Sequence, residues 1–100
     1  MLTSKQRAQL KGLANTADTI IHVGKGGISD AVVTQTVDAL KARELVKGRV
    51  LENSLLTARE ACEELAERCG AEPVQAIGSK FVLYKENKNI EKEKRIKLVK

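Results

Sequence analysis

The chain has 100 residues, 42% of them apolar, which is enough for one modest core and one domain. Its formal net charge of +5 favours acidic partners. No stretch approaches the ~20 apolar residues of a membrane span, and the length excludes a doubly wound enzyme with two βαβαβ halves.

Met1–Lys5 runs into polar residues rather than an apolar signal core, so a cytoplasmic protein is expected. Thr3 and Ser4 are capping residue types, and Gln6 stands three residues beyond Thr3 as a capping-box partner. The helix that follows places Gln6, Leu10, Leu13 and Ala17 on one side. Arg7 and Lys11 sit four apart on another side, where like charges cost a little helix stability. They are either solvated or waiting for an anion.

Thr19–Val23 reads as a short buried strand, and it runs into Gly24-Lys25-Gly26-Gly27. Ser29 is a natural N-cap and Asp30 suits the first turn of a second helix. Val33, Val37 and Leu40 make the apolar stripe of that helix, with Thr34, Asp38 and Lys41 facing away. Leu45–Leu51 is a second strand, in which Lys47 and Arg49 share a face because strand side chains alternate. Thr57-Ala58-Arg59-Glu60 is a full capping box. The third helix it opens buries Ala61, Cys62, Leu65, Ala66 and Cys69, and Gly70 stops it. Val74–Ile77 and Lys80–Tyr84, joined by Gly78-Ser79, form a hairpin.

The order is therefore α-β-α-β-α-β-β, an α/β fold with a mixed sheet and both crossover helices on one face. Residues 1–85 make the domain and residues 86–100 a basic tail. The tail is either mobile or a helix supported by Glu91/Arg95 and Glu93/Lys97 pairs.

Cys62 and Cys69 lie seven apart in one helix, ~10 Å between Cα atoms at 1.5 Å per residue. That is beyond disulfide reach, so both read as buried reduced thiols. Two thiols and a distant His22 make a poor zinc set, and neither metal nor cofactor is expected. His22 has no nucleophile or acid in a recognisable relation to it, and no catalytic residue is assigned.

The charge is segregated. Residues 1–28 carry Lys5, Arg7, Lys11 and Lys25 against Asp18, whereas residues 52–72 carry six glutamates against Arg59 and Arg68. This pattern turns one face to a polyanion and another away from it. The glycine run lacks both the P-loop spacing and the third glycine of a dinucleotide fingerprint. What remains is a Gly-x-x-Gly loop of the kind that clamps a nucleic-acid backbone in KH domains, though here it follows a strand and not a helix. Its bland alternative is a tight strand-to-helix turn. Lys47, Arg49 and Lys80 have an equally bland alternative as solvated strand charges. Phe81 and Tyr84 are the only aromatics and face opposite ways, so backbone and shape recognition is expected rather than a base code.

Four segments in this order and spacing carry a family likeness. They are Leu2-Thr3-Ser4-Lys5-Gln6-Arg7, Val23-Gly24-Lys25-Gly26-Gly27, Ala42-Arg43-Glu44-Leu45-Val46-Lys47, and Ile77-Gly78-Ser79-Lys80-Phe81-Val82-Leu83-Tyr84. Through them, residues 2–85 resemble the YhbY family, bacterial stand-alone versions of the CRM RNA-binding domain. The resemblance implies a four-stranded mixed sheet similar to the C-terminal domain of a translation initiation factor. It implies RNA binding through Gly24, Lys25, Gly26 and Gly27, with ribosomal RNA in large-subunit precursors as the partner and a role in ribosome assembly. Lys5, Arg7, Lys11, Lys47, Arg49 and Lys80 are the candidate helpers on a basic face. The acidic third helix suggests a second function, an adaptor docking ribosomal proteins. A monomer is the default. Gly48 departs from the bulkier strand residue expected there, which suggests a bulge or a weakened strand and puts the Lys47/Arg49 stripe in question.

Overall fold

The computed structural model describes residues 2–90 and 95–99. Helix α1 spans Ser4–Ala14. The Thr3 hydroxyl accepts from the Gln6 N–H at 3.1 Å, and the Gln6 side chain accepts from the Thr3 N–H at 3.0 Å, satisfying two donors at the helix start. Strand β1 (Thr19–Val23), helix α2 (Asp30–Arg43), strand β2 (Leu45–Val50), helix α3 (Ala58–Cys69) and strands β3 (Glu72–Ile77) and β4 (Lys80–Tyr84) follow. Thr57 and Glu60 cap α3 as their spacing requires, and Gly70 ends it in the left-handed region.

The sheet order is β1-β2-β4-β3, with β1 parallel to β2 and β4 antiparallel to both its neighbours. Alternation along the strands divides the core in two. Ile21, Val23, Val46, Val50, Phe81 and Leu83 face α2 and α3. Val74, Val82 and Tyr84 face α1. Both crossover helices thus share one face, as the connection rules require.

Two expectations need correction, on α1 and at Gly48, and the expected stripe of α2 gains one residue. The buried side of α1 is Leu10 and Ala14, one helical turn apart; Leu13 is 44% exposed and Ala17 lies beyond the helix end. On α2, Thr36 joins Leu40 as a fully buried residue, its hydroxyl donating to the Val32 carbonyl at 2.8 Å. This hydroxyl satisfies itself within the helix and so can enter the core. Gly48 is neither a bulge nor a weak point. It pairs in register with Phe81 on one side and Ile21 on the other, and the register shift lies in β1, between Thr19 and Ile21. A Cβ at Gly48 would overlap the Phe81 ring, with Cε2 2.5 Å and Cε1 2.9 Å away. Glycine is needed there for packing, and the alternation carrying Lys47 and Arg49 is intact.

The described tail residues pack against the domain. Glu44, at φ +63 and 1% exposed, ends α2 and holds the tail with its carboxylate. It accepts from the Asn87 N–H at 2.7 Å and the Ile96 N–H at 2.8 Å, and lies 3.9 Å from Arg95 Nε. Gln6 and Gln9 of α1 donate to the Val99 and Lys97 carbonyls, and Ile96 and Leu98 pack on the α1 side of the core. Arg95 pairs with Glu86. The pairing expected with Glu91, and that of Glu93 with Lys97, involve glutamates outside the described residues.

Candidate nucleic-acid interface

The glycine loop leaves β1 at the end of the sheet where β2 also ends. The Gly27 N–H donates to the Gly24 carbonyl at 3.0 Å, closing a turn with Lys25 and Gly26 exposed at its tip. Only Gly27, at φ +66, adopts a backbone that other residues resist. A Cβ at Gly26 would meet nothing within 4 Å, so the protein itself does not require glycine there.

Neighbouring segments hold the loop in place. The Leu51 N–H donates to the Val23 carbonyl at 2.8 Å. Asn53 and Leu51 side chains lie 3.6 Å from the Cβ position of Gly24, and Leu56 lies 3.9 Å from that of Gly27. Arg68 of α3 donates to the Ile28 carbonyl at 3.0 Å. Ser29 then caps α2, accepting from the Val32 N–H, and Asp30 occupies the first turn. The helix start is thereby occupied by its own side chains, so the helix axis offers no open anion site.

A row of side chains crosses the sheet at this same end. His22 lies beside Arg49, Arg49 beside Lys80, and Lys80 beside Ile77. Neighbouring strands are ~4.8 Å apart, so the row spans roughly three such steps. All four residues are exposed, on the sheet face that α1 covers further along. Their chain neighbours Val23, Val50 and Phe81 point the other way into the core. The register thus sets Arg49 beside His22, two residues before the glycine loop, and Lys80 one strand further across the sheet. His22 was not among the candidates, although its place between core-facing Ile21 and Val23 put it on the outer face.

The remaining basic candidates separate. Lys47 is half-buried, and its ammonium donates to the Ala14 carbonyl at 3.2 Å. It stabilises the α1 C-terminus, where cations are favoured. Arg7 and Lys11 flank the outer edge of β3, in a cleft shared with Gln75, Ile77, Arg59 and Glu63. They therefore extend the row at its Ile77 end, across the sheet from Lys25. Lys5 is exposed and lies about 140° around α1 from Leu10 at 100° per residue, away from the sheet.

The glutamates lie on α3, which covers the other sheet face, with Glu63 reaching the cleft of Arg7 and Lys11, and they are largely self-engaged. Glu63 pairs with Arg59 at 3.3 Å, Glu64 with Arg68 at 3.7 Å, and Glu60 closes the α3 capping box. Among the described residues no group of three metal-ligating side chains occurs, and no helix is long and apolar enough to cross a membrane. Both cysteines are buried and unbonded to one another. Burial pushes the Cys62 thiol up to about 11, so it is a core group and not a nucleophile.

Residues 2–85 match the model of the CRS1 / YhbY (CRM) domain. The chain is 42% identical over 88 residues to "Probable RNA-binding protein YqeI" of Bacillus subtilis, covering 88% of this chain and 92% of that one. It is 31% identical over 84 residues to an "RNA-binding protein" of Haemophilus influenzae, covering 84% and 85% respectively. The solution structure of the hypothetical protein SAV1595 from Staphylococcus aureus superposes with a TM-score of 0.73 at 42% identity, covering 99% of this chain and 100% of that one.

Proposed function

Since this chain belongs to the CRS1 / YhbY (CRM) domain family, we propose that it is a non-catalytic RNA-binding protein acting through the glycine loop and the basic row beside it. The observation that carries this reading is the alignment of His22, Arg49 and Lys80 across three strands, ending at the loop that presents Lys25. None of these four side chains serves the core. Flexible cations such as Lys25, Arg49 and Lys80 suit phosphates, which are abundant along any RNA backbone and carry no base identity. Affinity then rests on phosphate neutralisation and falls steeply with salt.

The RNA is ribosomal, within precursors of the large subunit, and the chain acts in their assembly. The family likeness of the four sequence segments supports this finer reading. Crosslinking in cell extract followed by identification of the attached RNA tests it. Recovery of large-subunit precursor RNA is expected, and recovery of no RNA overturns the proposal. The adaptor reading, which relies on Glu60, Glu63, Glu64 and Glu67, is not favoured, because the first three already have partners within α3 and its cap.

A further inference from the structure

Leu55 is 92% exposed, far more than any other large apolar side chain among the described residues. It sits in the segment between β2 and α3, between Asn53 and Leu56, whose side chains lie 3.6 and 3.9 Å from the Cβ positions of Gly24 and Gly27. That segment is held by hydrogen bonds. The Ser54 N–H donates to the Leu51 carbonyl at 3.0 Å, and the Leu56 N–H donates to the Ser54 hydroxyl at 3.1 Å. A side chain on a fixed support is thus displayed to water beside the phosphate-facing loop.

The chain has one phenylalanine and one tyrosine. Both are buried, Phe81 against α2 and α3 and Tyr84 against α1. Neither of these two rings is free to stack on a base. The exposed flat groups, His22 and Arg49, stand in the row, and the exposed apolar groups are aliphatic. Ile77, the next most exposed, closes the far end of the basic row with Arg7 and Lys11. Leu55 is the apolar group beside the loop.

In a continuous A-form helix the base faces are stacked on one another, and the wide groove offers hydroxyls and phosphates. Away from the helix ends, an aliphatic side chain finds a broad apolar base face where a base is unstacked. We propose that Leu55 packs against an unpaired base while the loop and the row hold the flanking phosphates. The protein would then prefer an RNA helix interrupted by an unpaired nucleotide to an uninterrupted one. This rests on the RNA-binding reading above.

The test compares two short RNA duplexes of equal charge density, one continuous and one with a single-nucleotide bulge, titrated with the wild-type protein and with Leu55→Ser. The wild type should bind the bulged RNA about tenfold more tightly, the scale expected for burying one aliphatic side chain. Leu55→Ser should lose that preference while keeping its affinity for the continuous duplex and its salt dependence. A preference that survives in Leu55→Ser, or is absent from the wild type, overturns the role of Leu55 and leaves the phosphate-binding face intact. Binding to neither RNA overturns that face and this inference with it.

Discussion

The ring of Phe81 occupies the space in which a side chain at Gly48 would stand. The two residues are directly opposite on β4 and β2, and Phe81 is fully buried. Gly48→Ala should therefore force the ring out of its position and destabilise the fold by about 1–3 kcal/mol, the range for overpacking a core. Urea denaturation measures this as a lower midpoint. A smaller residue at position 81 in the double variant should recover part of the loss, because the two changes share one volume.

The loop glycines should separate by cause. Gly26→Ala adds a methyl group into open space and should leave the thermal midpoint unchanged while weakening RNA binding. Gly27→Ala places a Cβ at φ +66 and should cost about 1 kcal/mol of stability. Thermal melts and RNA titrations on the two variants check both halves. Full RNA affinity in Gly26→Ala would remove the loop from the interface.

Arg49 and Lys47 are two residues apart on one strand face, yet only Arg49 is free for a ligand. Arg49→Ala should weaken RNA binding and lower the slope of log affinity against log salt by about 1. Lys80→Ala should do the same. Lys47→Ala should instead reduce stability slightly, through the lost bond to the Ala14 carbonyl, and leave the salt slope near that of the wild type. Titrations at several salt concentrations distinguish these outcomes.

Glu44 fastens the tail. Glu44→Ala removes the acceptor of the Asn87 and Ile96 N–H groups and the partner of Arg95. The loss should be roughly 3 kcal/mol, the lower range for breaking a buried charged pair. Residues 95–99 should then become open to limited proteolysis while 2–85 stay protected, which mass analysis of the fragments would reveal.

Stability should fall in alkali. Burial raises Cys62 from 9.0 to about 11 and raises Cys69 and Tyr84 as well. The folded state thus holds these protons more tightly than the unfolded state. For Cys62 that contribution is complete below pH 9 and is lost as pH rises towards about 11, and Cys69 and Tyr84 act in the same direction. Denaturation midpoints measured across that window should decline, and Cys62→Ala should decline less steeply. A flat profile in the wild type would contradict the burial of these groups.

Much of this protein follows from local rules. The capping boxes at Thr3 and Thr57, the stop at Gly70, the Gly78-Ser79 hairpin and the alternation along β2 are short-range effects. Each depends on backbone donors and on side chains within four residues of them. The connection rules joined these pieces into a mixed sheet, and the glycine spacing pointed to Gly24–Gly27. Other features arise only when distant segments meet. Nothing near Gly48 announces the Phe81 ring, and nothing near Glu44 announces the tail amides it accepts. Lys47 and Arg49 look alike in sequence. The end of α1 takes the first and leaves the second in water. His22 became part of a basic row because register, a property of three strands together, set it beside Arg49 and Lys80. The sequence by itself determined the elements and the loop, because hydrogen bonding and side-chain alternation act locally. Which charges stay in water was settled only on folding, because that depends on which carbonyls, rings and strands the folded chain brings beside them.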